Sequence, residues 1–127
     1  GILDSFRSDQ ILFAGRIDKL KNLALLVEIF SEAIPETSKN IQLRIVGDGP
    51  EKEKLQELVR ELHLENRVIF DNKVSHQKLL EIIRGCYFAV LPSLTEISPN
   101  FVLECLKLNK PIYALKKLVY MKILKVI

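Results

Sequence analysis

Five short, nearly continuous apolar runs punctuate the chain, and stretches of helical periodicity separate them. The runs are ILFAG (Ile11 to Gly15), LRIVG (Leu43 to Gly47), RVIF (Arg67 to Phe70), YFAVLP (Tyr87 to Pro92) and PIYAL (Pro111 to Leu115). A strand that is apolar at successive positions, rather than at every second one, has both faces covered, as in parallel sheets. After the first run, Asn22 stands where an N-cap belongs, ahead of Leu23, Leu26, Val27 and Phe30 at helical spacing. Pro35 and the polar stretch through Asn40 end that helix. After the second run, GDGP makes a turn whose Pro50 suits a first helical position. Glu51 and Glu53 then fall in the positive first turn, and Leu55, Leu58, Val59 and Leu62 form the buried stripe. Ser75 caps a third helix carrying Leu79, Leu80, Ile82 and Ile83, and a fourth runs from Pro99 to about Leu108. Strand and helix in strict alternation, joined by right-handed crossovers, give an α/β, Rossmann-like parallel sheet with helices on both faces. Ligands of such sheets bind beyond the carboxyl ends of the strands, where Arg16, Asp48, Asn72 and Glu96 all fall.

The 127 residues, 48% of them hydrophobic, suffice for one domain with its own core. Cys86 and Cys105 have neither metal-ligand spacing nor the density of a disulfide framework, and both sit in apolar segments. They read as buried, reduced thiols of a cytoplasmic protein. Neither a signal peptide nor a transmembrane segment is legible. The chain opens on Gly1 rather than Met, which points to an excised piece. The net charge of +3 is uneven: six lysines (Lys107, Lys110, Lys116, Lys117, Lys122 and Lys125) and no acid follow Glu104, so the rest sums to −3. The basic residues are not interleaved with aromatics, which argues against a nucleic-acid partner. The basic end reads as a solvated helix face, with peripheral contact to anionic lipid or docking to a partner domain as the alternatives.

The stretch from Pro92 to Pro111 carries the most chemistry. Glu96 lies in a loop directly after an apolar strand, Pro99 can open a helix, and Glu104 follows inside it. A carboxylate accepts two hydrogen bonds from neighbouring hydroxyls of a sugar, and a helix N-terminus offers unpaired N–H groups to an anion. The same Glu spacing recurs at Glu28/Glu36, Glu53/Glu61 and Glu57/Glu65, but there on helices or at helix ends that look like solvated surface. Near the first strand, Arg16 supplies a planar fork for phosphate oxygens and Lys21 a point charge, with Lys19 as an alternative to Lys21. GDGP lacks the full dinucleotide pattern and reads mainly as a tight turn. His63 and His76 have no partner at triad or ligand spacing and read as surface or capping residues. No carboxylate cluster calls for a metal.

These pieces together resemble the C-terminal, donor-binding domain of the GT-B-fold retaining glycosyltransferases (glycosyl transferases group 1, family four type). The resemblance covers Ile11 to Ile112 and rests on FAGRIDKLKN, LRIVGDGPEKEKL, RVIFDNKVS, VLPSLTE and the Glu–seven–Glu unit, in the family's order. It implies a hexosyltransferase of polysaccharide or glycolipid synthesis that works without a metal or other cofactor. Arg16 and Lys21 would bind the donor diphosphate and stabilise the departing nucleoside diphosphate, and Glu96 would hold the sugar hydroxyls; these three carry the catalytic roles. Gly15, Val74, Ser98, Asn100, Phe101 and Glu104 would bind the rest of the donor: backbone N–H groups at Ser98 to Phe101 the phosphate, Glu104 the ribose, and the backbone near Lys73 and Val74 the base. Residues 1–112 would then be a truncated nucleotide-sugar-binding domain and 113–127 a divergent basic segment of helical pattern. The resemblance also implies an N-terminal acceptor domain that these residues would not include, so the chain alone would be inactive. Its place would be cytoplasmic, or peripheral at the inner face of the membrane. The chain departs from the family pattern at Ile97, Asn72 and Asn109, where glycine is usual, at Ser98, where an aromatic is, and at Tyr87, where Asp is common. A non-catalytic nucleotide-sugar-binding or interaction module, or a fragment of a GT-B-type sugar-nucleotide epimerase, are the competing readings.

Overall fold

The structure, a computed structural model, describes residues 9–36, 40–92 and 99–114. Its elements run β1 (Gln10–Ala14), a 3-10 turn (Lys19–Lys21), α1 (Leu23–Ala33), a second 3-10 turn (Ile34–Glu36), β2 (Gln42–Val46), α2 (Lys52–Glu61), β3 (Val68–Asp71), α3 (His76–Gly85), β4 (Phe88–Leu91), α4 (Pro99–Lys107) and β5 (Ile112–Ala114). The five strands form one sheet in the order β3-β2-β1-β4-β5. All four pairings are parallel, as the continuous apolar runs require. β5 crosses the boundary expected at residue 112, pairing Tyr113 with Val90 and Ala114 with Leu91.

Successive side chains of each strand feed two separate cores. Ile11, Phe13, Leu43 and Ile45 pack with Leu23, Val27 and Phe30 of α1 and Leu55 and Val59 of α2. Leu12, Ala14, Val46, Ala89 and Leu91 pack on the other face with Ile82 and Ile83 of α3 and Phe101 and Cys105 of α4. The expected layered α/β architecture is thus the observed one.

The helix ends show which local signals the fold used. Ser75 caps α3 as its residue type predicts, its Oγ accepting from the Lys78 N–H at 3.2 Å. Asn22 does not cap α1 through its side chain. It takes a left-handed conformation (φ 51°) that closes the preceding 3-10 turn, because Asp18 has already set that turn by accepting from Lys21 N–H. Pro50 sits in the turn rather than at the first helical position, since Glu51 N–H bonds back to the Ile17 carbonyl before α2 begins. Pro35 does not stop the chain's coiling at once; α1 tightens into a 3-10 turn through it.

Two helices end in Schellman motifs on non-glycine residues. After α2, His63 adopts φ 57° and donates to Arg60 O, while Leu64 N–H reaches Val59 O. After α4, Asn109 adopts φ 53° and donates to Leu106 O, while Lys110 N–H reaches Cys105 O. Asn tolerates this region better than most residues, so it can stand where glycine is usual. Lys110, one of the six C-terminal lysines, then turns inward and is 8% exposed. Its Nζ donates to the carbonyls of Arg84 and Cys86 at the end of α3. Lys107 stays exposed, and the other four lysines lie outside the described residues.

Cys86 and Cys105 are both free and buried, and the Cys86 thiol donates to Ile83 O. Burial pushes Cys86 up to about 11 from 9.0, partly offset by Lys110. Burial, then the neighbouring Cys86, pushes Cys105 up to about 12. A thiolate is the reactive form, so both groups are inert near neutrality. The folded chain should therefore leave a water-soluble aromatic disulfide reagent nearly unreduced at pH 8, and denaturant should release both thiols. Fast reaction of either thiol without unfolding would refute this. The linkage has a definite sign: the neutral thiols support the fold fully below pH 9.0, and that support is lost as pH rises through about 11 and 12.

Candidate functional site

β1 and β4 lie side by side in the sheet, yet the helices that follow them pack on opposite faces. That divergence is the topological switch point of an open parallel sheet and opens a crevice at the strands' carboxyl ends. A cleft of about 810 Å³ lies there. This is within the range of small-molecule sites. Among the described residues, β1's exit contributes Gly15, Arg16 and Lys21, the β2–α2 loop Asp48 and Gly49, the β3–α3 loop Lys73 and Val74, and the start of α4 Pro99, Asn100 and Phe101. Six of the sequence-predicted site residues (Gly15, Arg16, Lys21, Val74, Asn100 and Phe101) therefore share one cleft. Glu96 and Ser98 lie outside the described residues.

The position of Arg16 is held by backbone from two loops. Gly15 N–H donates to Val46 O at 3.0 Å, and Ile17 N–H donates to Asp48 O at 2.9 Å. GDGP is the other half of this stitch, and its glycines are there because the two loops nearly touch. A Cβ on Gly47 would stand 1.9 Å from the Gly15 carbonyl oxygen, and one on Gly49 2.3 Å from that of Ile17. Lys52 adds a side-chain clamp, donating to Gly47 O at 3.2 Å and to Asn72 Oδ1 at 2.7 Å.

Asp18 orients the basic pair. Its Oδ1 accepts from Lys21 N–H at 3.1 Å, and its Oδ2 lies 3.8 Å from Arg16 Nε. The Arg16 side chain is 67% exposed, so the ion pair is weak and leaves the guanidinium available to a stronger anion. At the far side of the cleft, Pro99 begins α4 and contributes no N–H, and the first-turn N–H groups of a helix are in general the ones open to a ligand. A cationic pair facing a helix N-terminus is suited to a multiply charged anion.

Glu104 is not among the residues lining this cleft. It sits on α4 with Oε1 3.0 Å from Nε2 of His76, the first residue of α3. The His76 hydrogen bond holds its carboxyl below the ordinary value of 4.5, opposed by desolvation and aided to a lesser degree by Lys107. His76 is thus partnered, which sequence spacing did not show: the two residues meet only because α3 and α4 cover the same sheet face. Asp18 was also missed, although an Asp three residues before Lys21 is the signature of a turn cap. No group of three or more His, Cys, Asp and Glu among the described residues is arranged to hold a metal ion.

A parallel α/β sheet with helices on both faces and a cleft at its switch point defines a Rossmann-like domain. The chain belongs to the glycosyl transferases group 1 family, whose model matches residues 6–125, past the Ile112 limit of the sequence resemblance. It is 30% identical over 104 residues to alpha-D-kanosaminyltransferase of Streptomyces kanamyceticus, covering 82% of this chain and 27% of that protein. Its fold is similar to TarM of S. aureus (TM-score 0.75, 18% identity, covering 84% of this chain and 21% of that one). It is likewise similar to HepE of Anabaena in complex with UDP and glucose (TM-score 0.70, 19% identity, 88% and 30%). The chain spans about a quarter of the length of the curated relatives it matches. No helix among the described residues is long and apolar enough to cross a membrane.

Proposed function

We propose that this chain is the nucleotide-sugar donor-binding domain of a retaining glycosyltransferase, which passes a glycosyl group to a saccharide or lipid-linked acceptor. The observation that carries the reading is the convergence of Arg16, Lys21 and the N-terminus of α4 on one cleft. The UDP and glucose held by HepE support it as ligand classes. Arg16 and Lys21 neutralise the diphosphate and stabilise the charge that grows on the departing nucleoside diphosphate. Preorganised charge at a leaving group is usually a leading catalytic contribution, and it can serve here without a metal. The first N–H groups of α4, around Ser98 to Phe101, take a phosphate oxygen. Gly15 lets the backbone approach the donor, Glu96 holds the sugar hydroxyls, Glu104 the ribose, and the Val74 backbone edges the base. The acceptor is supplied by a second domain, so the chain alone binds donor without turnover. We place the enzyme in the cytoplasm, at the inner membrane face when the acceptor is lipid-linked.

Calorimetric titration with UDP, GDP and ADP, in the absence of divalent metal, tests this. One nucleoside diphosphate should bind. Arg16→Ala and Lys21→Ala should each weaken it roughly tenfold, as loss of a charge-assisted contact to phosphate does, while binding of the matching nucleoside stays unchanged. Equal diphosphate affinity in wild type and both variants would sink the proposal.

A further inference from the structure

Beside the cleft, His76 is paired with Glu104, and the donor-site reading gives that histidine no role. Glu104 is largely covered (17% exposed) while His76 is open to solvent (68%). Glu104 therefore does not face open solvent with two free oxygens; one is taken by a ring from another helix. The backbone that carries the ring is fixed: Ser75 caps α3 and sets His76 at its first position, two residues after Val74 of the cleft wall.

We propose that His76 is a positioning residue, holding Oε1 of Glu104 so that its second oxygen is aimed at the ribose hydroxyls of the donor. The inference rests on the assignment of Glu104 to the ribose made above. An ionised carboxylate only accepts hydrogen bonds, so His76 Nε2 carries the hydrogen and donates it. Among the described residues, His76 of α3 and Lys107 of α4 act on the Glu104 carboxyl, and both favour its ionised form. A pair this exposed on one side contributes little to stability, so its effect should appear in ligand geometry. Holding the carboxylate in one rotamer before the ligand arrives removes an ordering cost from binding.

The test compares UDP with 2′-deoxy-UDP by calorimetry on the whole chain, as wild type, Glu104→Ala, His76→Ala and His76→Gln. The wild type should prefer UDP, and Glu104→Ala should erase that preference. His76→Ala should reduce it by about fivefold, the scale of one ordinary net hydrogen bond, because His76 acts on the ligand only through Glu104. His76→Gln, whose amide nitrogen can stand in for Nε2, should restore it to within about twofold. In parallel, carbon-13 NMR should show the Glu104 carboxyl titrating at higher pH in His76→Ala than in wild type. If Glu104→Ala erases the preference and His76→Ala leaves it intact, the positioning role is overturned and the donor site stands. Loss of preference in both His76 variants with no change in the Glu104 titration would mark a merely structural contact and also overturn it. If Glu104→Ala leaves the preference untouched, or UDP does not bind, the ribose assignment falls and the inference with it.

Discussion

Gly47→Ala should destabilise the chain by about 3 kcal/mol or more, a large fraction of the roughly 5–15 kcal/mol that holds an ordinary domain folded. Two independent costs combine. The new Cβ would fall 1.9 Å from the Gly15 carbonyl oxygen, a backbone atom that cannot rotate away. The backbone at position 47 is also at φ 146°, a region that L side chains rarely adopt. Relief requires pulling the β2–α2 loop from the β1 exit, which breaks the bond from Ile17 N–H to Asp48 O. Urea unfolding should show a lower midpoint at unchanged slope. Gly85→Ala is the control: nothing lies within 4 Å of its added Cβ, at the last residue of α3. That variant should match or slightly exceed wild type, because alanine lowers the entropy of the unfolded chain. Equal losses in the two variants would refute the close-approach account.

Lys110→Met should cost about 2 kcal/mol, through two carbonyls rather than through packing. Methionine keeps most of the buried stem, so the cavity contribution is small. What disappears is the ammonium that accommodates Arg84 O and Cys86 O at the end of α3. Each buried carbonyl left without a donor costs about 1 kcal/mol or more, and the negative end of the helix dipole loses its counter-charge. The expected signature is a lower urea midpoint together with faster amide exchange in the last turn of α3. Exchange unchanged there would mean that α3 does not depend on this cap. Lys107→Met, on the exposed side of α4, should be near neutral.

The contrast between these two lysines shows where sequence reading reaches its limit. Both lie in the same basic C-terminal stretch, and nothing local separates them. Only the Schellman turn at Asn109 throws Lys110 inward. The strands were legible because each is apolar at successive positions, and their order followed from the parallel, right-handed rule. Ser75 was legible because capping is a local chemistry. Asn22 was misplaced because a local cap three residues away, Asp18 on Lys21 N–H, had already set that turn, and Pro50 because a long-range bond from Glu51 N–H to Ile17 O decided its turn instead. At the site, Arg16, Lys21, Val74, Asn100 and Phe101 could be grouped in advance because all lie at or just past strand ends or at a helix start. His76 could not be assigned to Glu104, since 28 positions separate them and only the docking of two helices brings them together. The role of the GDGP glycines was half legible: a turn was evident, whereas the carbonyl of Gly15 pressing on Gly47 belongs to the packing of two loops.

The order of the strands carries a consequence for how the chain comes off the ribosome. β1 bonds on one edge to β2 and on the other to β4, with Ile11 opposite Phe88. About 77 residues separate those partners, so the second edge of β1 stays open while the intervening chain is made. At typical synthesis rates that interval lasts on the order of several seconds. An apolar strand with an unsatisfied edge is a template for wrong pairing, and nascent chains paused before Phe88 should be the species that chaperones hold and that aggregate when chaperones are scarce.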